Sequence, residues 1–408
     1  MTRVSLSLFT LLLVAGCKPP QTTTTPEPTT SGPKTVAADI DITMKEGDAK
    51  ARTPQDLDVL LDEVRERSSV PGIAAAVIDG SGVLAIGASG LRRVDEPATL
   101  TVDDRFHLGS DTKAMTALLV ALLVEEGALK WDMTMQDAFS DHAAAISSDF
   151  REVTLTQLLR HRSGVAAELT HLEPGLTQRL EPIAPEQRRL AVAMETLAQK
   201  ARFTPGSNFE YSNFGYVVAG AAIEKATGNT WEAEMKARIF KPLGMDSCGF
   251  GPTATGDARD QPWAHADRGD SFAPVEFDNP AFLGPAGTVH CNLADWGKFA
   301  AVFFEGANFV TADSMDRLTS PVPKSDNRGG GYALGWAVPD DDAFGLPVLT
   351  HDGSNTFNYA SIIVMPSLGA AVLVAVNAGG ERAQNAAVAT ALELARRTRG
   401  PREGEPAR

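Results

Sequence analysis

Strand-like segments stand at both ends of the foldable part of this chain, and the stretch between them reads as helix and loop. That order restricts the possible architectures more than any other feature. Near the start, residues 73–78 and 83–87 read as two strands joined by Asp79-Gly80-Ser81-Gly82, a hairpin-turn sequence. Near the end, residues 332–338, 348–350, 357–365 and 371–377 carry strand signals, with Pro366-Ser367-Leu368-Gly369 as a turn between the last two. Thr53-Pro54 opens a helix to about residue 67, with Leu57, Leu60, Leu61 and Val64 on one face, and residues 382–397 form a final helix. In the middle, residues 114–124 are apolar except for Thr116, which predicts a helix buried all round and ended by Gly127. Further helices are expected at 155–160, 191–200 and 217–226. The order fits an α+β fold: an antiparallel sheet built from both chain ends, flanked by terminal helices, with an inserted mostly helical region at about 110–300. The cleft between sheet and helical region is then the expected place for a site.

Hydrophobic residues at 43% and charged residues at 22% allow a sizeable core. A net charge of −15 argues against a nucleic-acid partner, since no basic surface is available to neutralise phosphates. The N-terminus has a different purpose. Arg3 precedes an apolar run at 4–14, too short to span a bilayer, so residues 1–16 read as a signal peptide. Val14-Ala15-Gly16-Cys17 resembles a bacterial lipobox, in which Cys17 is lipidated and becomes the new N-terminus. Residues 17–50 are rich in Thr and Pro, which predicts an extended tether. The expectation is an exported lipoprotein of the bacterial cell envelope that touches the membrane only through its anchor. Its catalytic domain spans 51–397 and its tail, 398–408, is disordered. In an oxidising compartment Cys248 and Cys291 could pair, but two separate buried thiols are the preferred reading.

The chemistry begins at His107-Leu108-Gly109-Ser110-Asp111-Thr112-Lys113, immediately before the buried helix. Residues three apart share a helix face, so the Lys113 amine can reach the Ser110 hydroxyl. A serine hydroxyl needs an adjacent base to act as a nucleophile, and a lysine serves when burial disfavours its charge. The pattern S-x-x-K alone is weak. Ser31-Gly32-Pro33-Lys34 repeats it inside the tether, and a helix cap would explain Ser110 equally well. His107-Leu108-Gly109 reads as approach-loop structure.

Two later motifs change the balance. Thr204-Pro205-Gly206-Ser207-Asn208-Phe209-Glu210-Tyr211-Ser212-Asn213 follows about 100 residues on, and His351-Asp352-Gly353-Ser354 stands at a strand end. With LTQLLRHRSGV at 155–165, IFKPLGMDSCGF at 239–250, PAGTVHCNLADWGKF at 285–299 and YALGWAV at 332–338, these motifs resemble the serine β-lactamase-like superfamily over about residues 55–395. The resemblance is to its class C branch of β-lactamases, D-alanyl-D-alanine carboxypeptidases and related esterases. It implies the β-lactamase/transpeptidase-like fold and an acyl-enzyme on Ser110. Lys113 and Tyr211 would share proton transfer in acylation, and Tyr211 would help activate the deacylating water. Asn213 would hydrogen-bond Lys113 or the substrate amide. His351 and Gly353 would line the substrate site, and the N–H groups of Ser110 and Ser354 would form an oxyanion hole.

Where that family usually carries Lys-Thr-Gly, this chain has His351-Asp352-Gly353. A histidine carries only part of a positive charge near neutral pH. Adjacent strand residues point to opposite faces, so Asp352 either turns away or repels a substrate carboxylate. Both outcomes disfavour efficient β-lactam hydrolysis. No metal-ligand spacing or phosphate-binding loop occurs, so no cofactor or metal is expected. The expected substrate is a small ester, an amide or a D-amino-acid peptide. The rivals are a receptor for penicillin or peptidoglycan fragments that is acylated without fast turnover, a true β-lactamase, and an inactive scaffold.

Overall fold

A computed structural model describes residues 55–167, 179–180, 182–323, 330–340 and 344–400. The signal peptide, Cys17, the tether and residues 401–408 lie outside the described residues.

Fourteen short or medium strands are described. They are β1 (Gln55–Asp56), β2 (Gly72–Asp79), β3 (Gly82–Gly90), β4 (Phe106–His107), β5 (Gly249–Phe250), β6 (Ala264–Asp267), β7 (Phe272–Val275), β8 (Val289–Cys291), β9 (Val322–Pro323), β10 (Gly331–Tyr332), β11 (Ala337–Val338), β12 (Leu349–Ser354), β13 (Tyr359–Met365) and β14 (Ala370–Val376). Nine of them form one sheet in the order β1-β3-β2-β14-β13-β12-β11-β10-β9. The pairings are antiparallel except β1 with β3. The two chain ends meet at β2 and β14, where Ile73 faces Val376 and Ile78 faces Ala371.

Both faces of this sheet are covered, so its central strands β13 and β14 are buried on every residue, and all but Ser361 are apolar or aromatic. Alternation persists as a choice of core. In β14, Ala371, Leu373 and Ala375 pack toward the helical region. Val372, Val374 and Val376 pack toward helix α1 (Asp58–Ser68) and the final helix, Glu381–Arg399. The inserted region packs on the first face around helix α2 (Thr112–Glu125), which is buried from Thr112 to Ala121. The absence of an exposed face read from the sequence is therefore real.

Four expectations need correction. The first helix begins at Asp58, because Gln55–Asp56 is drawn into the sheet edge beside β3; Thr53 and Pro54 lie outside the described residues. Residues 332–338 are not one strand. Gly335 takes φ +80° and folds them into the β10–β11 pair. A Cβ there would stand 2.6 Å from the Ala114 backbone, so the turn is pressed onto α2 and only glycine fits. The final helix runs through Thr398 and Arg399, where a disordered tail was expected. Thr398 is buried and caps its own turn by donating to the Leu394 carbonyl. Cys248 and Cys291 form a disulfide, not two separate thiols. The reason is register: β5 and β8 are neighbours, with Gly249 opposite His290, and this brings the two cysteines together at the ends of adjacent strands.

Candidate active site

Ser110 lies in a single 3-10 turn, Gly109–Asp111, that leads directly into α2. Gly109 holds φ +51°, and a Cβ on it would come within 2.3 Å of the Ser354 nitrogen. A Cβ on Gly353 would stand 1.9 Å from the Leu108 carbonyl oxygen. The Ser110 turn and strand β12 therefore touch backbone to backbone, and two glycines make this possible. The contact sets the amides of Ser110 and Ser354 side by side. The His-Asp-Gly-Ser motif lies within β12, which extends to Ser354, four residues beyond the strand read from the sequence.

Lys113 is fully buried. Its Nζ is 3.0 Å from Ser110 Oγ, 2.7 Å from Asn213 Oδ1 and 2.8 Å from the Ala286 carbonyl oxygen. Burial pushes the Lys113 ammonium well below the usual lysine range, against the opposing pull of Asp111. A neutral amine has two N–H donors and one lone pair. The two carbonyl oxygens take the donors, which leaves the lone pair for the Ser110 O–H.

Tyr211 and Asn213 arrive on the turn before helix Asn213–Thr227, whose N-terminus is capped by Ser212 Oγ accepting from the Gly215 N–H. Ser212 Oγ also donates to the Ala166 carbonyl, tying the turn to the preceding loop. The Tyr211 ring lies 4.8 Å from Lys113 Nζ. Burial raises the Tyr211 phenol above the usual tyrosine range, and the nearby Ser110 hydroxyl pulls the other way. Tyr211 is therefore a protonated phenol at neutral pH.

His351 is buried at 7% exposure, with Nε2 3.1 Å from the Tyr332 hydroxyl and Nδ1 2.9 Å from the Asp352 carbonyl oxygen. It lies on the face of β12 that packs toward the helical region, opposite Ile362. Asp352 is opposite Ser361, on the other face, and hydrogen-bonds Ser361 and Tyr359. It turns away from the cleft. The structure thus brings Ser110, Lys113, Tyr211, Asn213, His351, Gly353 and Ser354 together. Cys17 lies outside the described residues.

Sequence reasoning gave no role to several residues here. His161 holds φ +56°, a costly conformation for a non-glycine residue. It accepts the Ser212 N–H at Nδ1 and the Glu210 N–H at its carbonyl, and its ring lies 4.2 Å from that of Tyr211. Tyr332 and Tyr216 pack on the same imidazole at 4.8 and 5.3 Å. His107, read as approach-loop structure, forms β4, accepts the Gly109 N–H at Nδ1 and lies 2.7 Å from Asp278 through Nε2. Each of His161, Tyr332 and Ala286 falls inside a segment that carried the family resemblance. The signal was present, but it lacked a partner.

The Beta-lactamase family profile matches residues 57–396. The chain belongs to the beta-lactamase family. Among relatives, it is 29% identical over 334 residues to penicillin-binding protein 4 of Amycolatopsis lactamdurans, covering 78% of this chain and 84% of that one. Among solved structures it resembles a D-stereospecific amidohydrolase from Streptomyces sp., with TM-score 0.64 and 26% identity over 81% of this chain and 98% of that one. A D-amino acid amidase from Ochrobactrum anthropi SV3 superposes with TM-score 0.66 over 83% of this chain and 94% of that one, at 20% identity, which bears on the fold alone. The family match places the sheet, the helical region and the cleft between them in a known architecture. In this beta-lactamase family member, His351 stands on β12 beside Ser110, where the Lys-Thr-Gly pattern of the resemblance would place a lysine.

Proposed function

We propose that this protein is an exported, lipid-anchored serine hydrolase that cleaves an ester or amide through an acyl-enzyme on Ser110. One observation carries the reading. Lys113 Nζ is held by two carbonyl oxygens so that its third direction meets Ser110 Oγ at 3.0 Å.

The steps follow from that arrangement. Lys113 takes the Ser110 proton as Oγ bonds to the substrate carbonyl carbon, and the carbonyl electron pair moves onto oxygen. The Ser110 and Ser354 amides are the donors for that oxyanion. As the tetrahedral intermediate collapses, Tyr211 gives its phenolic proton to the leaving group and regains one from Lys113. Deacylation repeats the sequence with water: its proton passes to the Tyr211–Lys113 pair, its oxygen bonds to the acyl carbon, and Ser110 leaves and is reprotonated. The high Tyr211 pKa supports a proton carrier rather than a standing phenolate.

An esterase or D-amino-acid amidase or peptidase is favoured over a β-lactamase. His351 supplies no fixed cation for a drug carboxylate, and the similarity to the Streptomyces amidohydrolase supports the D-amino-acid alternative. A second reading, a receptor acylated without fast turnover, draws support from the penicillin-binding relative.

The test incubates the protein and its Ser110→Ala variant with a small activated ester, a chromogenic cephalosporin and a D-Ala-D-Ala peptide, followed by intact mass. Ester or D-amide turnover that is lost in the variant is the expected result. Turnover that survives the substitution removes Ser110 from the mechanism. A lasting adduct on Ser110 without turnover selects the receptor. Cephalosporin hydrolysis that rivals the ester overturns the reading of His351.

A further inference from the structure

One buried group beside the nucleophile takes no part in the steps above. Asp111 follows Ser110, is 1% exposed, and neither of its carboxyl oxygens makes a hydrogen bond among the described residues. An unpaired buried carboxyl is costly, and such a group calls for a reason. Its Oδ1 lies 3.3 Å from His351 Nδ1, close enough for electrostatic contact but not aligned as a hydrogen bond. The same nitrogen faces the Asp352 carbonyl oxygen at 2.9 Å. Two oxygens around one ring nitrogen favour the proton there, whether Asp111 is ionised or not. The other nitrogen, Nε2, is then an acceptor for the Tyr332 hydroxyl at 3.1 Å. Tyr332 is itself buried, and the neighbouring Tyr216 donates its own hydroxyl to the Leu159 carbonyl.

We propose that Asp111 is a positioning residue that locks His351 in its Nδ1–H form with Nε2 turned to Tyr332, and that this Asp111–His351–Tyr332 chain fits the site to acyl groups without a carboxylate beside the scissile bond. The proposal rests on the acyl-serine reading above. Its selectivity follows from charge. The strand position from which a lysine would grip a substrate carboxylate is filled by an imidazole ring held on both sides. The Lys113 amine is fully engaged by Ser110, Asn213 and Ala286. A substrate carboxylate entering here loses its water, and this strand position offers no lysine to replace it. Burial also holds the Asp111 carboxyl well above the usual carboxylate range, which disfavours a fixed negative charge beside the ring.

The test has two arms. In the first, the intact domain is labelled with 15N-histidine and the ring nitrogens are read by long-range 1H–15N spectra, with His351 assigned by its loss in His351→Gln. The wild type should show a protonated Nδ1 and a bare Nε2. Asp111→Ala should mix the tautomers and lower kcat about tenfold with less effect on KM. Asp111→Asn, whose side-chain carbonyl can stand in for the carboxyl, should restore most of both. Tyr332→Phe should shift Nε2 alone. In the second arm, a neutral activated ester is compared with a matched one carrying a terminal carboxylate. The wild type should prefer the neutral ester, and His351→Lys should raise the relative rate of the anionic ester at least about tenfold. An unchanged tautomer in Asp111→Ala, or equal wild-type rates on the two esters, overturns the proposal. If neither ester acylates Ser110, the acyl-serine reading fails instead, and the spectra still decide the role of Asp111.

Discussion

The backbone contact between the nucleophile turn and β12 makes Gly353→Ala a sharp perturbation. Gly353 is not held at positive φ, so alanine meets no torsional obstacle there. The obstacle is spatial. The new Cβ would stand 1.9 Å from the Leu108 oxygen and 2.9 Å from the Ser110 nitrogen, about 1.5 Å short of an ordinary 3.4 Å contact at the first atom. Both neighbours are backbone, so no side chain can rotate aside. The nucleophile turn and strand must separate, which carries Ser110 away from Lys113 and parts the two proposed oxyanion amides. A misplacement near 1 Å costs about 10²-fold in rate, and forcing one methyl into a packed site costs about 1–3 kcal/mol. Gly353→Ala should therefore fold, melt earlier, and lose about two orders of magnitude in kcat/KM on an activated ester. Gly80→Ala is the control, since a Cβ there meets nothing within 4 Å. The assay is steady-state ester hydrolysis with circular dichroism and thermal melting on the same samples. A Gly353→Ala enzyme that keeps a third or more of wild-type kcat/KM would refute the claim that this contact sets the reaction geometry.

Three further outcomes are expected. Lys113 has a folded pKa below its unfolded value of 10.5, so between the two the unfolded chain binds the extra proton and stability falls as pH drops through that window. Lys113→Met removes this slope. Wild-type stability minus variant stability should rise with pH by up to about 1.4 kcal/mol per unit, measured by urea melts at pH 7 and 9, and a flat difference would mean that Lys113 is charged in the fold. The Cys248–Cys291 disulfide closes a loop with a sequence separation of 43, so replacing both with Ala should cost about 2–4 kcal/mol in urea unfolding, with little loss expected only if the unfolded chain is already constrained. His161→Gln should lower kcat about tenfold or more with a smaller change in KM, because the Ser212 N–H and the Tyr211 ring lose their shared support; an unchanged kcat would show that Tyr211 is positioned without it.

The sheet, its hairpin and the buried helix were legible because each has a local cause: Gly80-Ser81 at the turn, mostly apolar runs in β2, β13 and β14, and a run in α2 with no polar face. Ser110 and Lys113 were legible by spacing, since three residues of helix bring them together wherever the helix lies. Tyr211, Asn213 and His351 had no such local cause and came only through the family resemblance. What escaped the sequence depends on long-range register. Ala286 meets Lys113 across 173 residues, and His161 reaches Ser212 across 51. The disulfide escaped for the same reason: nothing near Cys248 shows that β5 lies beside β8. The break at Gly335 is a backbone conformation forced by α2, a neighbour more than 200 residues earlier.

The meeting of β2 with β14 also governs when the protein can fold. Ile73 pairs with Val376, so the centre of the sheet cannot close until nearly the whole chain has been made. Contacts this distant in sequence are slow to form, because a very long loop must be ordered first. Until then the β2–β3 hairpin has an open edge and no finished core beneath it. A chain that emerges in this order cannot complete its central sheet during synthesis. For the exported protein proposed above, that is the state a narrow export channel would require, and it would leave folding to a compartment where Cys248 and Cys291 can be oxidised.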